Sequence, residues 1–274
     1  MINQPTRLGI ESRIPRASNQ QSASVELGSY QLEKRTEVNA KWGQADINDW
    51  ILSLLKLHHG EVILDIACGY GLTTLLAAKA VGPSGQVVGT DLELAFIRTA
   101  HDRGKRNQRL TFMVHNATTP FPFRDETFDA ILCNFAIYHF PIVDLFFDEV
   151  YRMLKPQGRF LVTGPDPTNN EFLYQVQIAA GGKITARMAR DTFKDTTMER
   201  LRQHYSYRYH VFTNMITFPS IDDFTRYYSD TTLFLVNTPV EERAHQLLKV
   251  RQVLENSPKL QNKKVVGGYL ARKL

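Results

Sequence analysis

Cysteine, tryptophan and long apolar runs are all scarce in this chain of 274 residues. The two cysteines, Cys68 and Cys133, are too few for a disulfide framework or a convincing metal site. No apolar run approaches the roughly 18 residues that a membrane-spanning helix needs. The N-terminal residues lack the basic and apolar segments of a secretory signal. We therefore expect a cytoplasmic protein with no bound metal and no membrane partner.

The basic residues do not form an obvious stripe. The formal net charge is +5, but lysine and arginine mostly alternate with acids, as in Arg190-Asp191 and Lys194-Asp195. A nucleic-acid-binding protein usually concentrates its positive charge in a stripe or a tail. We therefore expect a solvated surface with a modest basic bias, and nucleic acid is disfavoured as a partner. An anionic small substrate would also fit this charge.

The middle of the chain alternates between two kinds of segment. Residues 1–29 are rich in Ser, Gln, Asn and Pro, which predicts a mobile arm, and residues 30–57 have a helical pattern. Short apolar runs then predict strands, and the segments between them predict helices. The predicted strands are 62–66, 86–90, 110–114, 128–133 and 158–163, and the helices are 72–80, 92–103 and 142–154. Such alternation predicts a doubly wound parallel sheet that binds ligands at the carboxyl ends of its strands.

This alternation ends after Gly164. Residues 165–206 are polar and helical in tendency, 207–218 are extended, 221–228 and 239–255 are helical, and 265–270 predict a last strand. We divide the chain after the arm into a cofactor-binding core, a helical cap insertion that binds the acceptor and contributes one core strand, and a C-terminal helix with the last core strand. The three parts are residues 30–168, 169–234 and 235–274.

The turn after the first strand reads Asp65-Ile66-Ala67-Cys68-Gly69-Tyr70-Gly71. Small residues at positions 67, 69 and 71 let the backbone approach a ligand closely. A glycine-rich turn alone is a weak signal, because dinucleotide-binding folds use one too. Asp65 is more specific, since its carboxylate would repel a pyrophosphate and attract a ligand with an ammonium and a sulfonium group.

A second acid, Asp91, lies twenty residues after Gly71 at the end of the second predicted strand. An acid in this position holds a ribose diol in many nucleotide-binding sheets. A simpler alternative is that Asp91 caps the helix that follows. With a ribose bound to Asp91, Leu92 would pack on the adenine.

Five stretches, taken in order and spacing, resemble the class I S-adenosylmethionine-dependent methyltransferases, most closely their small-molecule group called type 11. The stretches are residues 62–71, 87–91, 116–128, 128–140 and 154–159. The resemblance covers residues 30–165 well and 265–273 more loosely. It implies a Rossmann-like, mainly parallel seven-stranded sheet and S-adenosylmethionine as the cofactor.

The resemblance also assigns individual residues. Asp65, Ala67 and Gly69 would line the methionine part of the cofactor, and Asp91 would bind the ribose. The remaining cofactor contacts would come from Leu92, Asn116, Ala117 and Asn134. Two positions depart from the family pattern, because Ala67 stands where glycine is usual and Asn116 stands where aspartate is common. An amide can still accept a hydrogen bond from the adenine amino group.

The acceptor side is less clear. His139 follows the fourth strand and is a candidate general base, although it could equally cap the next helix or pack under the cap. Tyr138 is a candidate pocket wall. Tyr205 and Tyr207, with Tyr209 and Phe212, could line an acceptor pocket, but alternating aromatics are more often core. Asp166 leaves the fifth strand on the ligand side, although Pro-Asp-Pro is also ordinary turn chemistry. Trp42, with Lys41, could close over the cofactor, but packing of an apolar helix face explains Trp42 equally well.

The sequence therefore predicts a methyltransferase that transfers the methyl group to an oxygen or nitrogen atom of a small metabolite. The same chemistry on RNA or protein is a second possibility. A nicotinamide oxidoreductase is disfavoured by Asp65 and by the absence of a Gly-x-Gly-x-x-Gly turn. A ligand-binding protein that keeps the fold without catalysis is a further alternative. The sequence does not determine the oligomeric state.

Overall fold

A seven-stranded sheet forms the centre of the molecule, in the order β3-β2-β1-β4-β5-β7-β6. The computed structural model describes residues 37–185, 188–257 and 259–274. The predicted arm and the first residues of the predicted N-terminal helix lie outside these ranges. The strands are β1 Val62–Ile66, β2 Gln86–Asp91, β3 Leu110–Val114, β4 Phe128–Asn134, β5 Leu154–Pro165, β6 Tyr205–Thr217 and β7 Gln261–Lys273.

The sheet is mainly parallel, as predicted. The strands from β3 to β5 pair in parallel, whereas β7 runs antiparallel to both of its neighbours, β5 and β6. The chain moves outward from β1 to β3 and then returns to β4 on the other side of β1. This reversal opens a crevice at the carboxyl ends of β1 and β4, where doubly wound sheets bind their ligands.

Three helices cover one face of the sheet: α1 Ile47–Leu55, α2 Leu72–Ala80 and α3 Leu94–Gly104. Ile51 and Leu55 of α1 are buried in one cluster with Ile63 of β1, which shows how the apolar side of α1 meets the sheet. Two helices cover the opposite face, α4 Asp144–Met153 and α6 Ala189–Leu201. Phe146 of α4 and Phe193 of α6 are buried with Phe160 of β5.

Four more helices form a separate apolar cluster beside the sheet. They are α5 Glu171–Ala179, α7 Ile221–Ser229, α8 Thr232–Asn237 and α9 Arg243–Glu255. Leu173, Phe224, Phe234 and Val250, one from each helix, are all buried in it. The cluster therefore joins segments on both sides of the predicted boundary at residue 234, and its role as a cap over the acceptor stays a prediction. None of the helices in the described ranges is long and apolar enough to cross a membrane.

Most of the differences from the predicted elements lie at strand ends. β5 begins at Leu154 instead of residue 158, because Leu154 pairs with Phe128 before a register shift brings Arg159 opposite Ala130. β7 is 13 residues long instead of the predicted six, and it pairs with β6 along its whole length. Backbone pairing with a neighbour extends these strands through polar residues that have no apolar pattern.

Candidate functional site

The glycine-rich turn after β1 is built from residues in the left-handed region. Ala67 has φ 56°, Gly69 has φ 53° and Gly71 has φ 75°. A β-carbon at Gly71 would lie 2.9 Å from Cβ of Ala100, so glycine is required there for close packing of α3. At Gly69 no atom of the described residues, apart from its chain neighbours, lies within 4 Å of the same position. The space above Gly69 is therefore open, as a ligand that approaches the backbone would need.

Asp65 lies at the base of this turn and is only 2% exposed. Its carboxylate accepts a hydrogen bond of 2.6 Å from the hydroxyl of Thr74 in α2. Burial, with a smaller contribution from the charge of Asp91, raises the pKa of Asp65 to about 7 although the hydroxyl opposes the shift. A cation nearby would favour the ionised form of this carboxyl. The attraction of Asp65 for a positively charged ligand stays a prediction.

Asp91 joins the turn to the start of α3. One carboxylate oxygen accepts a hydrogen bond from the backbone N–H of Gly69 at 2.8 Å, and the other accepts from Glu93 N at 2.9 Å. The N-cap of α3 is Glu93 and not Asp91, so Asp91 does not cap the helix as the simpler alternative required, although its bond to Glu93 N holds the residue at which the helix begins. Each carboxylate oxygen keeps a further lone pair, which leaves Asp91 able to accept ribose hydroxyls as well. Burial raises the pKa of Asp91 above its ordinary value.

Exposed apolar side chains surround these acids. Leu92 is 59% exposed directly after Asp91, and Leu72 and Phe135, which follow the turn and β4, are also exposed. Single exposed hydrophobics are common on protein surfaces, but these three lie at the same end of neighbouring strands. The position of Leu92 leaves its side chain accessible to a planar ring, as predicted for adenine.

The loop after β3 is fixed to Asp91, because His115 N donates to Asp91 O at 2.9 Å. Asn116 is exposed, and its side-chain oxygen accepts hydrogen bonds from the backbone N–H and the hydroxyl of Thr118. Ala117 is buried in the core. The predicted adenine contacts are therefore adjacent to the acids, with Asn116 as the accessible member of the pair.

Asn134 ends β4, on the other side of β1. Its side-chain oxygen accepts a hydrogen bond from the hydroxyl of Thr163 at 3.0 Å. Its amide nitrogen is buried and finds no acceptor among the described residues. A buried donor without a partner costs free energy, and a ligand carboxylate would satisfy it. The sequence analysis assigned Asn134 to the methionine part of the cofactor through its backbone, and the structure adds this side-chain donor.

His139 ends a 3₁₀ helix, Ile137–His139, directly after β4. Its side chain is exposed and its ring lies 4.6 Å from that of Tyr138, which is half-buried and meets Phe193 of α6 edge to face. The next helix, α4, is capped at Val143. His139 therefore does not cap that helix, and one of the two structural alternatives for this residue is removed.

Of the two tyrosines predicted to bind the acceptor, Tyr205 is buried in the core and Tyr207 is half-buried against it. Tyr205 of β6 pairs with Lys273 of β7. The preceding residue of β7, Arg272, pairs with Arg159 in the amino-terminal part of β5. This is the edge of the sheet opposite the turn. Tyr205 is 5% exposed, and Tyr207, two residues further on, packs against Tyr269. The burial of Tyr205 agrees with the core alternative, and acceptor binding by the two tyrosines stays a prediction, because the alternation specifies a face of β6 and not the end at which the site lies.

Tyr209, one further step along β6, reaches the carboxyl edge. Its hydroxyl donates a hydrogen bond of 2.6 Å to Asp166, which is 7% exposed just beyond β5. Burial alone would raise the pKa of Asp166, but hydrogen bonds from Tyr209 and Thr168 and the charge of Lys194 hold it below its ordinary value. The ammonium of Lys194 lies 4.7 Å from the centre of the Tyr209 ring. The sequence analysis had named Asp166 and Tyr209 separately, without a reason to pair them.

The segment before α1 runs along the same edge. Gly43 forms a bridge with Ile216 of β6. The side-chain oxygen of Asn214 accepts hydrogen bonds from the backbone N–H groups of Gln44 and Ala45 at 2.7 and 3.1 Å. Asn48 then accepts a hydrogen bond from Thr73 at the start of α2. Residues 43–48 thus connect the far end of the sheet to the turn region, and the sequence analysis missed the role of Asn214.

Trp42 does not lie over the glycine-rich turn in the described contacts. Its ring is 5.6 Å from that of Phe218 and belongs to the helical cluster beside the sheet. Lys41 lies over this ring at 4.9 Å. The apolar-packing alternative for Trp42 is therefore the one that the structure supports.

Comparison with known proteins shows which proteins the core is similar to. Residues 64–162 match a family model described as a methyltransferase domain. A demethylmenaquinone methyltransferase from Lactobacillus johnsonii is 34% identical over 118 residues, which cover 42% of this chain and 48% of the relative. The chain thus spans about half the length of this curated relative.

Solved structures extend the likeness to the whole fold. A crystal structure of a putative methyltransferase from Bacillus halodurans has a TM-score of 0.57 at 20% identity, covering 84% of this chain and 99% of that one. The (4+2)-cyclase SpnF has a TM-score of 0.57 at 17% identity, covering 91% and 94% of the two chains. The predicted fold is confirmed, and these low identities establish the fold alone.

Proposed function

We propose that the protein transfers the methyl group of S-adenosylmethionine to an oxygen or nitrogen nucleophile of a small metabolite, and the match of residues 64–162 to a methyltransferase domain supports this proposal. One observation supports this proposal most directly: Asp65, Gly69 and Asp91 meet at the carboxyl ends of β1 and β2, where doubly wound sheets bind ligands. The open space above Gly69 and the unpaired donor of Asn134 fit the same ligand.

The cofactor supplies a methyl group that its sulfonium has already activated. The protein's task is then to hold and orient the two reactants. Asp65 provides negative charge at the methionine end, Asn134 donates to the methionine carboxylate, and Asp91 accepts from the ribose hydroxyls. Leu92 and Asn116 hold the adenine by apolar contact and by a hydrogen bond.

The acceptor would lie between the 3₁₀ helix Ile137–His139 and α6. Tyr138 forms one wall there, and His139 would take the proton of a hydroxyl or an ammonium acceptor. Asp166 and Tyr209 add a polar pair at the neighbouring end of β5 and β6. The relative from Lactobacillus johnsonii acts, by its name, on demethylmenaquinone, which supports an acceptor with ring character. The helical cluster that holds α5 and α7 would exclude water when the acceptor is bound.

Two alternatives from other classes remain distinguishable. A nicotinamide oxidoreductase would bind a pyrophosphate at the glycine-rich turn, where Asp65 places a carboxyl. A non-transferring protein of the same fold is a concrete alternative, since the cyclase above has this fold. A methyltransferase of RNA or protein would share the cofactor and differ in the acceptor.

Two measurements test the proposal. Calorimetry with S-adenosylmethionine, S-adenosylhomocysteine and NAD should give binding of the first two and none of NAD. A screen with labelled cofactor over metabolite extracts, RNA and protein should then transfer the label to a small metabolite. Binding of NAD alone would refute the cofactor assignment, and label found only in RNA or protein would refute the acceptor class. Cofactor binding without any transfer would favour the non-transferring alternative.

A further inference from the structure

One short segment beside the sheet is rich in positive charge. Residues 98–109 contain five lysine and arginine side chains and one acid, Asp102, a net charge of +4 within a chain of net charge +5. This segment departs from the alternation of basic and acidic residues found elsewhere in the sequence. It comprises the second half of α3 and the connection to β3.

The segment forms one wall of a cavity of about 360 Å³. Arg103, Arg106 and Arg109 line the cavity together with Asn107, Gln108 and Leu75, and none of the described residues that line it carries a carboxylate. This cavity lies beyond the C-terminal end of α3, outside the candidate cofactor site.

The backbone that carries these arginines is held in a fixed turn. Asn107 N donates to Gly104 O at 2.8 Å, and the side-chain oxygen of Asn107 accepts from Arg109 N at 3.1 Å. A β-carbon at Gly104 would lie 2.9 Å from Leu110, so the turn packs closely on the start of β3. The arginine side chains therefore extend from a structured turn.

The guanidinium groups are poorly supplied with acceptors. Nε of Arg109 is buried and has no acceptor within residues 37–185, 188–257 and 259–274. Arg103 donates only a long hydrogen bond, 3.3 Å, to the carbonyl of Tyr70, and its guanidinium lies 5.4 Å from that ring. In the same described ranges, none of the three arginines of the cavity forms an ion pair with an acid.

We propose that this cavity binds a phosphate group, either of a phosphorylated small molecule or of a lipid headgroup. The planar guanidinium presents paired donors that match the spacing of phosphate oxygens. Three such groups provide the charge and the donors for one phosphate group, and the unpaired Nε of Arg109 would gain an acceptor. This inference does not depend on the proposed methyl transfer.

Calorimetry of the full chain with inorganic pyrophosphate, at constant ionic strength, tests the site. Binding should weaken at least about tenfold in Arg106→Gln and in Arg109→Gln. Arg124→Gln removes the same charge from an exposed position outside the cavity and should leave the affinity unchanged. Arg106 is exposed, so its substitution keeps the test valid if the half-buried Arg109 proves necessary for folding.

Co-sedimentation with vesicles separates the two sources of the phosphate. Vesicles of phosphatidylcholine with phosphatidylglycerol are compared with vesicles of phosphatidylcholine alone. Two results support the site: binding of pyrophosphate, or binding of the anionic vesicles without binding of the phosphatidylcholine vesicles. In either case Arg106→Gln must weaken the binding and Arg124→Gln must not. The proposal is overturned if neither ligand binds, if the control variant loses binding equally, or if the chain binds only RNA.

Discussion

The affinity for S-adenosylmethionine should depend on pH through Asp65. In the free protein, burial raises the pKa of this carboxyl from 3.8 to about 7. A carboxyl whose pKa is raised on folding contributes stability below its unfolded pKa, and that contribution is lost as the pH rises through the folded pKa. The ionised form, which costs the free protein stability, is the form that a cationic ligand requires. Cofactor binding should therefore release a proton when the pH is below 7.

The size of the effect follows from that pKa. About half of the Asp65 carboxyls are ionised at about pH 7, and about 3% at about pH 5.5. If the cofactor binds the ionised form, its dissociation constant should be about fifteenfold larger at the lower pH. Measurements should stop near pH 7, because the α-amino group of the cofactor itself titrates above that value.

Calorimetry at the two pH values, in buffers with different heats of ionisation, measures both the affinity and the number of protons released. Asp65→Asn should bind more weakly at pH 7 and lose the pH dependence, since the amide can still accept the hydrogen bond from Thr74 but does not titrate. Asp148→Asn, at an exposed position on α4, should behave like the original chain. An unchanged affinity between the two pH values, or the same dependence in Asp65→Asn, would refute the reasoning.

Three further predictions concern the same edge of the sheet. Asp91→Ala should weaken cofactor binding at least tenfold, because the ribose hydroxyls lose their acceptor. It should also lower the free energy of unfolding by about 1 kcal/mol, because two backbone N–H groups lose their acceptor. Unchanged affinity in calorimetry would remove the ribose assignment. Ala67→Gly should raise the free energy of unfolding by about 1 kcal/mol and Gly69→Ala should lower it by about the same amount, since both positions have positive φ, which favours glycine. Urea unfolding would contradict this if Gly69→Ala were as stable as the original chain. His139→Ala should lower turnover far more than cofactor affinity, while the exposed His204→Ala changes neither; full turnover of His139→Ala across the pH range would assign His139 a packing role.

Several elements followed from local sequence with correct bounds. The segments Val62–Ile66, Leu72–Ala80 and Leu110–Val114 have the predicted ends, because apolar runs and the residues that interrupt them act over a few neighbours. The helix after β2 starts at Leu94 instead of residue 92. Asp91 holds Glu93 in an extended conformation, which a hydrophobic pattern does not indicate.

The acceptor side was harder to predict because its contacts join distant parts of the chain. Tyr205, Tyr207 and Tyr209 alternate identically in the sequence, and the pairing of β6 with β7 determines which of them reaches the carboxyl edge. The partner of Tyr209 is Asp166, 43 residues away. Asn214 holds a backbone segment 170 residues away. No local period carries such information, since a shift of register changes every partner at once.

Local chemistry was thus sufficient for the alternating core, the acid before the glycine-rich turn and the acid after β2, because each depends on residues within one strand and its turn. Three features came only from the folded chain. They are the depth at which Asp65 is buried, the position of Tyr209 and not Tyr205 at the carboxyl edge, and the position of three arginines around one cavity. These features depend on which surfaces the helices cover and on the register of paired strands, and both are set by packing between segments that are far apart in the sequence.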